Sequence, residues 1–434
     1  MTDVGQTFET HGILLTGGNG FLGKVVLGVL LDRFPRLKHI YLLLRPKWNL
    51  SADVLINCAG LVDFFPPVDE SFRSNVDGVR HMVALAKQLS ARLAHVSTCF
   101  VCGESDGLVE ETQPIPGYYP RRKGPGDSSF QHEDEIAYAK DRIRQIYDSA
   151  GEAGKPKELA RRLTDLGRQR AEHWGWVNTY TYAKSLGEQV LAAEKGLNFA
   201  IIRPAIIESA LRFPFPGWIE GGRTSAPLVL MARGGMKHWP VRKDAPLEVV
   251  PVDLVASALL VVTALLLSGR HELVYQLGTA DVNPIFLEPL VELLAGEVRF
   301  VSREQARGRR VRLQKGIGRA QTVLAGVKKA LETTGLPGKQ SLASWSVSLR
   351  TRGLQASLRE QTLNQYLPFI LHNRYIFESE NIRAAYAQIS EADRRLLPWD
   401  PERIEWEGYW LNNQVKGIEK WIQPQAVKEW AFKI

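Results

Sequence analysis

The chain has 434 residues, 44% hydrophobic and 24% charged, with 55 Lys and Arg against 47 Asp and Glu, a net charge of +8. That length holds two or three domains of roughly 150 residues, and the composition excludes disordered, collagen-like and low-complexity chains. Three cysteines (Cys58, Cys99, Cys102) exclude a disulfide scaffold and point to a reducing, cytoplasmic setting.

The start, MTDVGQTFETHG, carries no apolar signal core. Ile13 to Thr16 reads as a short buried strand, Gly17 to Gly23 as a turn, and Phe21 to Arg33 as a helix closed by Pro35. His39 to Leu44, Val54 to Cys58 and Ala94 to Thr98 read as further strands, with a helix from Val76 to Leu89 between the last two. Another strand holds Ile201 and Ile202 and ends at Arg203-Pro204. Apolar strands alternating with helices predict an α/β, doubly wound parallel sheet. Between Arg45 and Asp53 only seven residues remain, too few for a parallel crossover with its helix. A whole strand–helix unit is therefore expected to be absent between Pro46 and Ser51.

Residues 104–177 form an insertion with a Pro/Gly-rich start and two charged helical stretches, Asp134 to Ala150 and Pro156 to His173. The uncharged run LVASALLVVTALLLSG, between Asp253 and Arg270, has 16 residues, short of the roughly 20 that span a bilayer; it predicts a buried helix. A boundary near 282 divides a dinucleotide-binding part (1–282) from a mostly helical C-terminal part (283–434). In the latter, Tyr366 to Phe377 reads as a buried helix, with a lid or a peripheral membrane contact as options. Residues 299–353 hold 13 Lys and Arg against only Glu304 and Glu332. Such a stretch is a solvated face or a docking surface for an anionic partner. It lacks the motifs of a nucleic-acid binder.

The glycine turn is Thr16-Gly-Gly-Asn-Gly-Phe-Leu-Gly23. One of Gly17, Gly20 and Gly23 serves the tight turn, one the close approach of a pyrophosphate, and one the packing of helix on strand. The helix N-terminus after it offers unpaired N–H groups to phosphates. Thr16, Gly17, Asn19, Gly20, Phe21, Leu22 and Gly23 are thus candidate cofactor contacts. Arg45, at the end of the second strand, suits a 2′-phosphate and so NADPH, with Lys47 assisting. Tyr180 and Lys184 lie one helical turn apart. The ammonium is expected to lower the tyrosine pKa and the phenol to exchange a proton with a carbonyl oxygen. Thr98, with Ser97 as runner-up, places a hydroxyl at the carboxyl end of a central strand. Tyr119 to Lys123 repeats the Tyr/Lys spacing outside a helix, and Tyr182 reads as packing. Cys99 and Cys102 have no histidine placed to activate them and read as buried small groups. No spacing suggests a metal site.

Together these elements resemble the extended short-chain dehydrogenase/reductase superfamily, with its Rossmann fold. Asn57-Cys-Ala-Gly60, Asn75-Val-Asp-Gly78, Arg203-Pro-Ala-Ile-Ile207 and Pro251-Val-Asp-Leu-Val-Ala256 agree. The chain is similar in particular to the alcohol-forming fatty acyl reductases, acting on acyl-CoA or acyl-ACP. The similarity lies in TGGNGFLGK, VSTCFV, NTYTYAKSLGE, RPAIIES, the PFPGWIEG stretch (Pro214 to Gly221) and the tail SENIRAAYAQISEADRRLLPWDPERIEWEGYW. The resemblance implies NADPH-dependent reduction of a long-chain acyl thioester, through the aldehyde, to the primary alcohol. It adds Ala59, Gly60, Asn75, Pro204 and Ile206 to the cofactor contacts and gives Lys184 a second role there. It implies an acyl tunnel between residues 205–240 and the C-terminal helices, with Phe213, Phe215, Trp218 and Trp239 as candidate lining. The basic 299–353 stretch would meet CoA phosphates, an acidic carrier or anionic lipid. The alternatives are an aldehyde-forming reductase, a nucleotide-sugar epimerase or dehydratase with bound NAD, and a dinucleotide sensor.

Overall fold

The structure is a computed structural model; it describes residues 1–43, 51–111, 115–124, 126–151, 155–302, 305 and 359–424. A short helix α1 (Val4–Thr10) leads into β1 (Gly12–Thr16), α2 (Phe21–Arg33), β2 (His39–Leu42) and β3 (Val54–Asn57). Then α3 (Val68–Phe72) runs through a π-helical turn, Arg73–Asp77, into α4 (Gly78–Leu89), and β4 (Arg92–Val96) follows. With β6 (Phe199–Pro204) and β10 (Val274–Leu277) these strands make one six-stranded sheet, in the order β10-β6-β4-β3-β1-β2. Every pairing in it is parallel.

The pleat sorts the core into two layers. Ile13, Leu15, Ile56, Ala94 and Ile202 face a cluster with α2 and with α9 (Val252–Ser268), whereas Leu14, Leu55, Leu93 and Ile201 pack with Val79 and Val83 of α4 and with Leu191. Helix α9 is the predicted apolar run, and it is buried from Val252 to Leu267. Its apolarity on all sides follows from being enclosed between the sheet, α1 and α2. Among the described residues no helix is long and apolar enough to cross a membrane.

Strand β2 forms the sheet edge, and β3 lies on the other side of β1. The chain thus passes from edge to centre between Leu43 and Ser51; the joint itself, where a missing strand–helix unit is expected, lies outside the described residues, as do Arg45 and Lys47. The basic stretch is likewise outside them, apart from Arg299 to Ser302 and Gln305.

The insertion brings β5 (Asp106–Val109), α5 (His132–Ala150) and α6 (Pro156–Trp174), matching the two predicted helices to within two residues, and α7 (Thr179–Ala192) follows. Four short elements come next: β7 (Ile206–Glu208), α8 (Ala226–Arg233), β8 (His238–Trp239) and β9 (Val249–Pro251). After β10 come α10 (Leu287–Ala295), β11 (Arg299–Phe300), β12 (Arg374–Phe377) and α11 (Glu380–Ala387). The Tyr366 to Phe377 stretch is not one buried helix. It makes a π-helical turn, Pro368–His372, then β12, which pairs in parallel with β5. The aromatic alternation of RYIF suits a strand with Tyr375 and Phe377 inward.

Three buried carboxylates stitch the later segments to the sheet. Glu248 accepts the amides of Phe377 (2.7 Å), Thr279 (3.0 Å) and Ala280 (3.3 Å). Asp253 accepts those of Leu211, Arg212 and Phe213. Glu208 accepts the Ser225 amide at 2.8 Å and the Gln414 side chain. Each satisfies loop N–H groups that would otherwise be buried without partners.

Candidate active site

The phosphate turn is shaped by backbone clearance. Gly17 has φ +69°, and a Cβ there would lie 2.7 Å from the Ala59 nitrogen and the Cys58 carbonyl carbon. A Cβ on Gly23 would lie 2.1 Å from the Gly17 oxygen. Gly20 caps α2 without any side-chain bond, so no side chain accepts from the first-turn N–H groups of Phe21 to Gly23. This is the cradle that a pyrophosphate requires.

Strand β4 ends at Val96, two residues before the predicted end, so Thr98 caps a 3-10 turn, Cys99–Cys102, rather than finishing the strand. Its Oγ1 accepts the Phe100 amide at 3.4 Å and donates to the Pro204 carbonyl at 3.4 Å. Helix α7 starts at Asn178, whose side chain accepts the Thr181 amide at 2.8 Å. That cap fixes Tyr180 on the first turn, where its amide donates to the Phe64 carbonyl at 3.3 Å and its phenol lies beside the Thr98 side chain. Lys184, one turn on, is buried and donates to the Val96 carbonyl at 3.0 Å. Thr98, Tyr180 and Lys184 therefore meet at the carboxyl end of β4. Ser97 is buried too, but its hydroxyl has no partner.

Burial pushes the Tyr180 phenol above its ordinary value, with the adjacent Thr98 hydroxyl opposing. The expected lowering by Lys184 is thus not the dominant influence: the amine is held at Val96. Lys184 itself is lowered to about 8 by burial, with Glu188 opposing. Glu188 pairs through both oxygens with Arg203 on β6, at 2.5 and 2.9 Å. All three cysteine thiols are raised by burial, Cys58 and Cys102 to about 12. Cys99 donates to the Arg203 carbonyl at 2.7 Å. These are resting thiols rather than nucleophiles.

Gly60 adjoins the same centre, since a Cβ there would lie 3.0 Å from Lys184 Nζ and 3.1 Å from Asn75 Oδ1. Asn75 holds the loop by accepting the Leu61 amide at 3.0 Å and donating to the Leu61 carbonyl at 2.9 Å. Ala59 lies against Gly17. Pro204 receives the Thr98 bond, and Ile206 opens β7, paired with Val249. Tyr182 donates to Glu135 at 2.5 Å as a packing residue, and Tyr119 sits outside any helix, bonded to Asp127.

Of the predicted lining residues, Phe213, Trp218 and Trp239 belong to one apolar cluster, and Phe215 faces the C-terminal part. Phe213 lies over α2, 3.2 Å from a Cβ built on Gly28 and under the Arg33 guanidinium. Phe215 is 43% exposed and faces Trp421. Trp218 stacks near Phe21 at the phosphate turn (ring centroids 5.1 Å apart), and Trp239 is buried with its Nε1 on Met236. The aromatic group that adjoins Tyr180 is another one. Phe64, whose carbonyl holds the Tyr180 amide, packs on Tyr366 and Phe369 at 5.6 and 5.3 Å, and Phe369 meets Phe100 at 5.0 Å. Sequence periodicity could not find it, because it joins a loop after β3, the turn after β4 and a segment some 300 residues on. Also unforeseen as a unit is a polar row across the strands, Thr16, Asn57 and His95. The available signal was a polar residue inside otherwise apolar strands. Among the described residues no cluster of His, Cys, Asp or Glu could hold a metal.

The NAD-binding family model described as male sterility protein matches residues 15–53 and 49–259, its two pieces meeting at the joint between β2 and β3. An alcohol-forming fatty acyl-CoA reductase of Simmondsia chinensis is 26% identical, over 96% of this chain and 98% of that one. Fatty acyl-CoA reductase 1 of Arabidopsis thaliana is also 26% identical, over 94% and 96%. Fatty acyl-CoA reductase 1 of Gallus gallus is 23% identical, over 97% and 86%. Among solved structures, the terminal R domain of the myxalamid PKS-NRPS pathway superposes with a TM-score of 0.51 at 17% identity, over 87% of this chain and 85% of that one, a likeness of fold.

Proposed function

The chain belongs to the male sterility protein family of fatty acyl-CoA reductases, and from that premise we propose that it reduces a long-chain acyl thioester, carried on CoA or acyl carrier protein, to the primary alcohol with NADPH. The observation that carries this reading is the convergence of Thr98, Tyr180 and Lys184 beside the open glycine cradle. Gly17, Gly20, Gly23 and the first turn of α2 would hold the pyrophosphate, Gly60 and Asn75 the rim beside Lys184, and Arg45 a 2′-phosphate. The bound dinucleotide would supply hydride to the carbonyl carbon in each of two reductions.

The chain's own residues manage the oxygen and its proton. Tyr180 Oη would donate to the carbonyl oxygen, where negative charge develops, and the Thr98 hydroxyl would turn to it from the Pro204 carbonyl as a second donor, completing a clamp. The raised phenol pKa leaves Tyr180 protonated at neutral pH but a weaker acid, so the charge developing on the carbonyl oxygen must draw its proton out. The Lys184 ammonium stabilises the phenolate left behind. The protonated adduct then expels the thiol, leaving an aldehyde. After solvent returns a proton to the Tyr180 phenolate, a second hydride and a second Tyr180 proton complete the alcohol. The acyl chain is assigned to the wall of Phe64, Phe100, Tyr366 and Phe369, which adjoins the clamp, with Trp218 nearer the phosphates.

Two measurements test this. Thermal shift should show stronger stabilisation by NADPH than by NADH, and Arg45→Ala should remove the difference. Incubation with NADPH and palmitoyl-CoA should yield hexadecanol. Accumulation of hexadecanal alone would stop the reaction at its first reduction, and neither product would overturn the reading.

A further inference from the structure

The polar row beneath the cleft makes one continuous chain of hydrogen bonds, and its atoms fix their own orientation. Thr16, Asn57 and His95 stand on β1, β3 and β4, with Thr16 opposite Asn57 and Asn57 opposite His95 in the sheet register. Asn57 is 3% exposed and His95 1%. Asn57 Oδ1 accepts from Thr16 Oγ1 at 2.7 Å and from the Ala59 amide at 3.3 Å. A backbone N–H can only donate, so that atom is the oxygen, and Nδ2 must face His95 Nδ1, 3.0 Å away. His95 Nδ1 therefore accepts, and the ring proton sits on Nε2. Nε2 is buried without a partner.

We infer that His95 is a positioning residue for dinucleotide binding: through Asn57 it holds the Ala59 amide and the Thr16 hydroxyl, and so fixes the 58–60 edge against the phosphate turn. The inference rests on the cofactor site assigned above. The edge has little slack, since Gly17 approaches the Cys58–Ala59 peptide with no room for a methyl group, and Gly60 abuts Lys184. Without His95, the Asn57 amide would be a buried donor facing nothing, free to rotate and release Ala59.

A histidine answers both neighbours. Burial and the nearby Lys184 ammonium lower its pKa to about 3, so it stays neutral. A carboxylate at this position would instead draw the ammonium away from Val96 and the clamp. A hydrocarbon would satisfy burial and abandon Asn57.

The two ring nitrogens can be tested apart, because an Asn amide reaches the place of Nδ1 and a Gln amide that of Nε2. His95→Gln and His95→Leu should weaken NADPH binding, read by fluorescence titration, about tenfold, as expected for one lost buried hydrogen bond. Both should speed hydrogen exchange of the Ala59 amide in the cofactor-free protein, while the Leu211 amide, held by Asp253, keeps its rate. His95→Asn should restore affinity to within about twofold. Where His95→Leu does not fold, the Gln and Asn pair decides alone. Affinity of His95→Gln equal to wild type would overturn the inference, as would Ala59 and Leu211 exchanging faster together, which marks general loosening. A wild-type chain that binds no nicotinamide dinucleotide would instead overturn the cofactor assignment itself.

Discussion

The part of the site proposed for the dinucleotide is built from backbone, and the part proposed for the acyl chain from side chains of distant segments. At the first, Gly17, Gly20 and Gly23 shape a turn and open helix amides, all within eight residues of β1 and α2. At the second, Phe64, Phe100, Tyr366 and Phe369 come from three separate places and meet through ring packing. Backbone cradles tolerate almost no added atom, whereas an aromatic wall can lose one ring and keep its shape. The first end therefore suits a cofactor of constant form and the second a chain of variable length.

Four changes would break or sharpen that contrast. Tyr180→Phe, at the junction of the two ends, should lower kcat about a thousandfold or more while NADPH still binds, because it removes one clamp donor and the proton source together. Gly23→Ala should weaken NADPH about thirtyfold, since its methyl would meet the Gly17 oxygen at 2.1 Å, a strain of about 2 kcal/mol. Its effect should be equal for short and long acyl thioesters. Phe369→Ala should raise KM for palmitoyl-CoA about tenfold and leave NADPH affinity unchanged, given about 1.5 kcal/mol of lost apolar contact; butyryl-CoA should be nearly unaffected. An equal loss for both substrates would remove the wall from the acyl site. The smallest effect is in pH. Lys184 is lowered to about 8, so its charge disappears as pH rises through that value. The kcat/KM profile should fall above pH 8, and Lys184→Arg, always charged, should abolish that alkaline limb even at reduced activity.

The same contrast explains what could be read from the sequence. The glycine turn, the Tyr180 and Lys184 pair and the Thr98 segment are local patterns whose spacing states their geometry, and α2 fell within its predicted bounds. Phe213 and Phe215 were expected between residues 205–240 and the C-terminal helices; Phe213 lies along α2 and Phe215 faces Trp421 of the C-terminal part. Only the fold decides which face of a loop meets which distant ring. Asn57 and His95 were hidden for a related reason: their link is cross-strand register, set by which strands are neighbours. The Tyr366 to Phe377 stretch was apolar enough for a helix or a strand, and pairing with β5 settled it.

The most direct test is stoichiometric. NADPH oxidation and thiol release from palmitoyl-CoA should be followed together in the wild-type protein. Two NADPH consumed for each thiol released is the predicted result, each hydride delivered to the carbon whose oxygen Thr98 and Tyr180 hold. Thiol release without NADPH consumption, or neither signal with the cofactor bound, would contradict the account.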